Sequence, residues 1–228
     1  MKPMNDVTKR LLIALGAVLL VSVVFVVVSR NTGEQEPAAS EEARLVEHRD
    51  EEGGFSVSYP EFWRKVEQTE EDPFIRLLVA PPGTDDSMSV KVIPLPGPVV
   101  INDDTPEEEI DALEDTFDRI IDQLPGLTEV VQRQRLVVNG TPGWYYIYKF
   151  RDGEEIGLHF RYFLFQGDKE YIVTFQAFPE DHYFDLAPVW DQILATFNFR
   201  LGGASPSPDG SPTSVPASPD ATPASTPT

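Results

Sequence analysis

The chain contains no cysteine, which excludes disulfide bonds, thiol chemistry, cysteine metal ligands and lipidated cysteines. Histidine is also scarce: His48, His159 and His182 are far apart and show no metal-ligand spacing. The sequence has no glycine-rich phosphate-binding loop, serine nucleophile elbow, zinc-protease motif or EF-hand loop. We therefore expect no metal, no cofactor and no enzymatic activity.

The chain also contains few basic residues. The 228 residues include 18 Lys and Arg against 38 Asp and Glu, a formal net charge of −20. A surface this acidic is repelled by nucleic acid and by anionic lipid headgroups. We exclude both as main partners of the part of the chain that follows the N-terminal apolar run.

That apolar run covers residues 11–29 and contains no charge. As a helix rising ~1.5 Å per residue it would be ~28 Å long, close to the ~30 Å hydrocarbon core of a bilayer. Lys2, Lys9 and Arg10 precede it, so the positive-inside rule places residues 1–10 in the cytoplasm. We predict a retained signal anchor in a single-pass plasma-membrane protein whose remaining chain is extracytoplasmic. The alternative is a cleaved signal peptide, although those have shorter apolar regions of about 7 to 15 residues.

Both ends of the extracytoplasmic part are poor in core-forming residues. Residues 30–52 are polar and acidic and indicate a juxtamembrane stalk. Residues 202–228 contain seven prolines and no aromatic residue, a composition typical of a disordered spacer or an O-glycosylated tract. Residues 53–201 are then left as one domain.

The first half of this domain predicts short strands followed by a helix. The strand-like runs are GFSVSYP, FWRKVEQ, FIRLLVAP and MSVKVIPLP. Thr105 is the expected N-cap of the helix, with Pro106 at its first position and Glu108 completing a capping box. Acidic residues between 103 and 111 could attract calcium, but the first turn of a helix favours acids in any protein.

The second half predicts an antiparallel meander and a closing helix. Four strand-like runs, LTEVVQRQRLVV, GWYYIYKF, IGLHFRYFLF and EYIVTFQAF, are separated by the turn signals Asn139-Gly140, Asp152-Gly153 and Gly167-Asp168. Asn139-Gly140-Thr141 also spells a glycosylation acceptor, but Pro142 follows and we prefer the turn. DLAPVWDQILATF is expected to form a helix capped by Asp185, with Pro188 in its first turn.

Successive side chains of a strand point to opposite faces, so each of the last three meander strands contains two alternating sets of residues. One set is nearly all apolar and the other mixes polar and apolar residues. We expect a helix to cover the apolar sets, which are Trp144, Tyr146, Tyr148 and Phe150; Leu158, Phe160, Tyr162 and Leu164; and Tyr171, Val173, Phe175 and Ala177.

The order of strands, helix, meander and helix resembles the PsbP-like family, which includes the extrinsic PsbP subunit of photosystem II and many exported bacterial proteins. The resemblance is carried by FSVSYPEFW, GTPGWYY, YIVTFQA and WDQILATFNF and covers residues 53–201. It implies an α+β fold, an α/β/α sandwich with a central antiparallel sheet, and a non-enzymatic binding or assembly role. Here one transmembrane helix would precede that domain. Several bacterial relatives are lipoproteins, whereas this chain has no cysteine.

The mixed sets of the meander contain the best candidate site. A basic strip in so acidic a protein could bind an anionic ligand or an acidic partner surface. The predicted ligand-binding residues are Tyr145, Lys149, His159, Arg161, Thr174 and Gln176. The alternative is a half-solvated sheet face whose basic residues pair with nearby acids.

We therefore expect an envelope module that binds an unidentified envelope protein or a small, possibly anionic, ligand and catalyses no reaction. It would contact the membrane only through its N-terminal helix. The alternative function is a structural spacer of the envelope with no specific ligand.

Overall fold

A seven-stranded antiparallel sheet dominates the computed structural model, which describes residues 44–67 and 72–199. The strand order is β3-β4-β5-β9-β8-β7-β6, and β1 and β2 form a separate hairpin. The elements are β1 Leu45–Asp50, β2 Phe55–Pro60, β3 Arg64–Lys65, β4 Ile75–Ala80, β5 Ser87–Pro94, α1 Glu107–Asp122, β6 Leu127–Val138, β7 Thr141–Asp152, β8 Glu155–Gln166, β9 Lys169–Ala177 and α2 Tyr183–Thr196.

The two helices cover opposite faces of the sheet. On the α1 face, Phe117 stacks on Phe163 with their ring centroids 4.6 Å apart. On the α2 face, Trp190 stacks on Phe175 at 5.3 Å, and the β1–β2 hairpin joins the same core through Phe55. The fold is therefore α+β with helices against a mostly antiparallel sheet, in agreement with the expected fold class.

The predicted cytoplasmic N-terminus, signal anchor and proline-rich tail lie outside the described residues. Among the helices that the structure describes, none is both long and apolar enough to cross a membrane.

The hairpin corrects the predicted start of the domain. Residues 45–50 were assigned to the stalk, but they form β1 and pair along their whole length with β2. Asp50 is the reason that this acidic segment orders: its carboxylate accepts hydrogen bonds from Arg76 Nε at 2.8 Å and from the backbone N–H of Gly53 at 2.8 Å. The folded unit begins at least eight residues before the predicted boundary at residue 53.

The start of α1 differs from the predicted capping box. Pro106 has ψ of 136° and lies outside the helix, which begins at Glu107. The hydroxyl of Thr105 accepts a hydrogen bond from the backbone N–H of Asn102 at 2.9 Å, so it does not cap α1. Helical spacing predicts a buried stripe that consists of Ile110, Leu113, Phe117, Ile120, Ile121 and Leu124. The first five are buried, whereas Leu124 follows the end of α1 and is half-buried.

The start of α2 lies two residues before the predicted cap, Asp185, so Pro188 falls inside the helix rather than in its first turn. A 3-10 turn, Glu180–His182, leads directly into the helix. Asp86 fixes this junction because its buried carboxylate contacts both the backbone N–H of Phe178 at 2.8 Å and His182 Nδ1 at 3.0 Å. Contacts distant in sequence therefore set the helix start.

Strand register separates the apolar sets that we expected on one face. Residues directly opposite each other on neighbouring strands share a face. Tyr146 pairs with Arg161 and faces α1, whereas Tyr145 pairs with Tyr162 and faces α2. The apolar set of β7 therefore packs under α1, and the apolar sets of β8 and β9 pack under α2.

Candidate functional site

The six predicted ligand-binding residues lie on both faces of the sheet. Lys149 and Tyr145 face α2. The other four lie together on the α1 face, where β8 pairs with β9: His159 is opposite Gln176, and Arg161 is opposite Thr174. The structure thus divides the predicted strip into a cluster of four and a separate pair.

His159 occupies a closed hydrogen-bond chain. Its Nε2 lies 2.7 Å from Gln176 Oε1, and its Nδ1 lies 2.9 Å from the Tyr148 hydroxyl. The Gln176 amide donates to the carbonyl of Asp85 at 2.6 Å, so its oxygen must accept from His159. The proton of the neutral imidazole is therefore on Nε2, and Tyr148 donates to Nδ1.

This environment keeps His159 uncharged. Burial, followed by the nearby positive charge of Arg161, lowers the pKa of His159 to about 3. Gln176 opposes the shift only weakly. His159 therefore positions Tyr148 and Gln176 and contributes no positive charge at neutral pH.

Arg161 is the cation of this cluster. Its guanidinium lies 5.5 Å from the centroid of the Tyr148 ring, and its Nε donates to Thr174 Oγ1 at 3.2 Å. No carboxylate among the described residues forms a salt bridge with Arg161. We call this cluster the Arg161 patch; it comprises His159, Arg161, Thr174 and Gln176, with Ser87 and Ser89 of β5 on the same face.

Three other basic side chains of the meander are already paired with acids. Arg135 bonds Glu114 and Glu107 at 2.8 and 2.9 Å, and Arg133 pairs with Asp118. The predicted site residue Lys149 pairs with Glu180 at 2.8 Å. Since these charges are neutralised within the protein, Arg161 stands out as an unpaired cation that is only partly exposed.

Tyr145 belongs to a second feature on the α2 face. It stacks on Tyr162 at 5.7 Å and lines a groove between α2 and strands β6 to β8. We call this the α2 groove; it has a volume of about 380 Å³ and its aromatic lining is Tyr145, Phe160, Tyr162, Tyr183 and Trp190. The indole Nε1 of Trp190 is buried and has no hydrogen-bond partner among the described residues.

Sequence reasoning missed one buried acid on the α1 face. Glu170 is completely buried, and neither carboxylate oxygen has a hydrogen-bond partner in the described part of the chain. Burial raises the pKa of Glu170 to about 8, although the charge of Lys91 acts in the opposite direction. The only signal in the sequence is the position of Glu170 in the mixed set of its strand, beside Ile172.

The Arg161 patch can provide charge-assisted hydrogen bonds to an anion. A guanidinium carries five N–H donors, and Thr174 accepts from only one of them. Within residues 44–67 and 72–199, no cluster of three or more histidine or acidic side chains has the arrangement of a metal site. The chemistry on this face is therefore recognition by donors and positive charge.

Comparison with known proteins defines the fold. No protein-family model matches the chain, and no curated protein matches its sequence. The solution structure of cyanobacterial PsbP (CyanoP) from Synechocystis sp. PCC 6803 matches with a TM-score of 0.51 and 15% identity, over 72% of this chain and 97% of that one. LpqN, involved in cell envelope biogenesis of Mycobacterium tuberculosis, matches with a TM-score of 0.45 and 12% identity, over 69% of this chain and 91% of that one. The likeness to CyanoP shows that the fold is PsbP-like, as the sequence resemblance predicted.

Proposed function

We propose that this protein is a membrane-anchored, extracytoplasmic binding module with a PsbP-like fold, and that it catalyses no reaction. It binds a partner protein or a small ligand of the cell envelope through an anionic group that contacts the Arg161 patch. The apolar run at residues 11–29, preceded by basic residues, supports the anchor and its orientation. The PsbP-like fold is consistent with a binding or assembly role.

The observation that carries this proposal is the unpaired guanidinium of Arg161 in a protein of net charge −20. Tyr148 supports one face of the guanidinium and Thr174 fixes its Nε, so the group is held in place before any ligand arrives. Binding then loses little side-chain entropy. Four remaining N–H donors suit a carboxylate or a phosphate, which can accept two parallel hydrogen bonds.

One observation favours the alternative, a spacer without a specific ligand. Lys149, Arg133 and Arg135 are all engaged by acidic side chains of the same protein. Such pairs are typical of a surface arranged for solubility and stability. The two functions differ in one respect, which is whether Arg161 has an external partner.

Affinity capture from detergent-solubilised envelope, with the full-length protein as bait, tests the proposal. The informative variant is Arg161→Gln. Arg161→Lys keeps the positive charge and tests whether binding requires the paired N–H donors of a guanidinium. Arg151→Gln is the matched control because Arg151 is exposed and also lacks a salt bridge among the described residues. We expect a component that is retained by the native protein and by Arg151→Gln but lost with Arg161→Gln, with every bait showing the same thermal unfolding.

Identical sets of captured molecules for native protein and Arg161→Gln would contradict binding at this patch and favour the spacer. Chemical change in the captured component after incubation with the native protein, absent with Arg161→Gln, would contradict the non-catalytic part of the proposal.

A further inference from the structure

The α2 groove presents hydrogen-bond donors without acceptors. Trp190 lines the groove, and its buried Nε1–H is unpartnered among the described residues. The hydroxyls of Tyr145, Tyr162 and Tyr183 also make no hydrogen bond to any described residue. The indole N–H is shielded from the groove, whereas the three tyrosine hydroxyls can donate to an occupant that supplies carbonyl oxygens.

The aromatic lining restricts the shape of that occupant. Phe160 stacks on Tyr183 at 4.9 Å and meets Trp190 edge-on at 5.2 Å. Aromatic rings therefore line the groove on both the β8 side and the α2 side. Proline-rich segments bind such surfaces as polyproline II helices, whose carbonyls have no internal hydrogen bonds and point outward. Proline also lacks an N–H, so these segments carry more acceptors than donors. They complement a donor-rich aromatic groove.

This chain carries such a segment itself. We infer that residues 215–219, with the sequence VPASP, dock in the α2 groove of the same molecule. Pro216 and Pro219 are three residues apart, which in a polyproline II helix of three residues per turn puts both rings on one side. Two rings can then contact the aromatic lining while the carbonyls between them accept hydrogen bonds from the tyrosine hydroxyls.

The connection from α2 makes this docking possible. Leu194, near the end of α2, lines the groove, and the last described residue is Phe199. Sixteen residues lie between Phe199 and Pro216, and at ~3.1 Å per residue this connection can reach ~50 Å. A domain of about 150 residues is roughly 40 Å across, so the segment can return to the groove. Tethering at this length gives an effective concentration on the order of millimolar.

Charge also favours this occupant over an acidic partner. Asp191 is the one charged residue that lines the groove. Segment 215–219 has no charged residue, so it avoids repulsion by Asp191. The groove lies on the opposite face of the sheet from the Arg161 patch, so docking of the tail and binding of an anion do not compete.

A distance measurement in the full-length protein tests this inference, and the absence of cysteine makes labelling specific. One chain carries both Val137→Cys, at an exposed position of the groove lining, and Ser218→Cys, with a spin label on each cysteine. Pulsed electron paramagnetic resonance in lipid nanodiscs should give a short, narrow distance between the labels. Changing Pro216 and Pro219 to Ala should reduce the short-distance fraction several-fold, and so should Tyr145→Phe/Tyr162→Phe, which removes two of the donors. Pro206→Ala/Pro208→Ala, the matched control, should leave it unchanged.

The tail variants keep the test valid even if the groove variant perturbs the domain, because Pro216 and Pro219 are not among the described residues that form the domain. A broad distribution in the native tail, or one unaffected by loss of Pro216 and Pro219, would overturn the inference. If a mixture of the two singly labelled chains gave the same short distance, the inference would also be overturned, because the groove would then take the tail of a second copy.

Discussion

At the scale of single residues, the aromatic run GWYYIYKF contributes side chains to both faces of the sheet. Tyr146 is buried under α1 and donates its hydroxyl to Asp118 at 2.9 Å. Trp144 does the same with its indole N–H, which bonds Glu114 at 2.9 Å. These polar tips explain how α1 can pack acidic residues close to the sheet: each carboxylate accepts from an aromatic donor and also pairs with an arginine of β6.

A pair of substitutions distinguishes the core positions of this run from its exposed ones. Tyr146→Ala should lower the free energy of unfolding by about 3–5 kcal/mol, because it leaves a large cavity under α1. Lys149→Glu should have a much smaller effect, because the ion pair with Glu180 is largely exposed to solvent. Urea unfolding of both variants measures the difference.

Tyr146→Phe is the control for the hydroxyl alone, and we expect a cost of about 1 kcal/mol because Asp118 keeps its pairing with Arg133. Equal small losses for Tyr146→Ala and Lys149→Glu would contradict the core assignment.

At the scale of elements, β1 belongs to the folded domain although its sequence has no clear hydrophobic pattern. The strand is mostly polar, and its order depends on pairing with β2 and on the bonds of Asp50 to Arg76 and Gly53. These partners are 26 and three residues away from Asp50 in sequence. Local composition therefore could not distinguish β1 from a stalk.

Removing β1 should measurably destabilise the domain. We expect a chain that lacks residues 1–50 to be less stable than one that lacks residues 1–43 by about 2 kcal/mol or more, since it loses the β1–β2 ladder and leaves Arg76 without Asp50. Chemical denaturation of the two chains gives the comparison.

Asp50→Asn in the longer chain isolates the ion-pair contribution and should produce only part of that loss. If the two truncated chains unfolded at the same urea concentration, β1 would not belong to the cooperative unit.

At the scale of the whole molecule, the sequence predicted the elements better than their arrangement. Periodicity and turn residues placed all four meander strands within a few residues of their observed bounds and identified most of the buried face of α1. Register could not be predicted, because a shift of one residue moves a side chain to the other face and the hydrophobic pattern of β7 permits both. For this reason Tyr145 and Lys149 are separated from Arg161, while His159, Thr174 and Gln176 are beside it.

Two titratable groups on the α1 face, the buried Glu170 and the half-buried His159, have pKa shifts large enough to make stability depend on pH between about 3 and 8. Glu170 has a pKa of about 8 in the folded protein against 4.5 for an ordinary glutamate, so between these values the folded state holds a proton that the unfolded state has lost. Stability therefore falls as pH rises through that window. His159 has a folded pKa of about 3 against 6.5, so between these values the unfolded state holds the extra proton and stability rises with pH.

Together these opposite slopes predict a plateau. Between about pH 3 and 4.5 stability should rise with pH through His159, and Asp50 and Glu114 add to this rise. Burial acts to raise the pKa of both carboxyls, but their hydrogen bonds, to Arg76 and Gly53 for Asp50 and to Trp144 and Arg135 for Glu114, lower it overall. From about pH 4.5 to 6.5 the effects of Glu170 and His159 cancel, and from about 6.5 to 8 stability should fall.

Urea unfolding across this range measures the profile, and Glu170→Gln identifies its source. In that variant stability should continue to rise to about pH 6.5 and then remain level, because the rising slopes of His159 and of His48, whose pKa burial also lowers, are no longer opposed. Glu154→Gln, at an exposed turn position, is the matched control and should keep the native profile. A decline above pH 6.5 that persists unchanged in Glu170→Gln would show that Glu170 is not the group that ionises there. The buried carboxyl would then need a partner that keeps its pKa low in the folded protein.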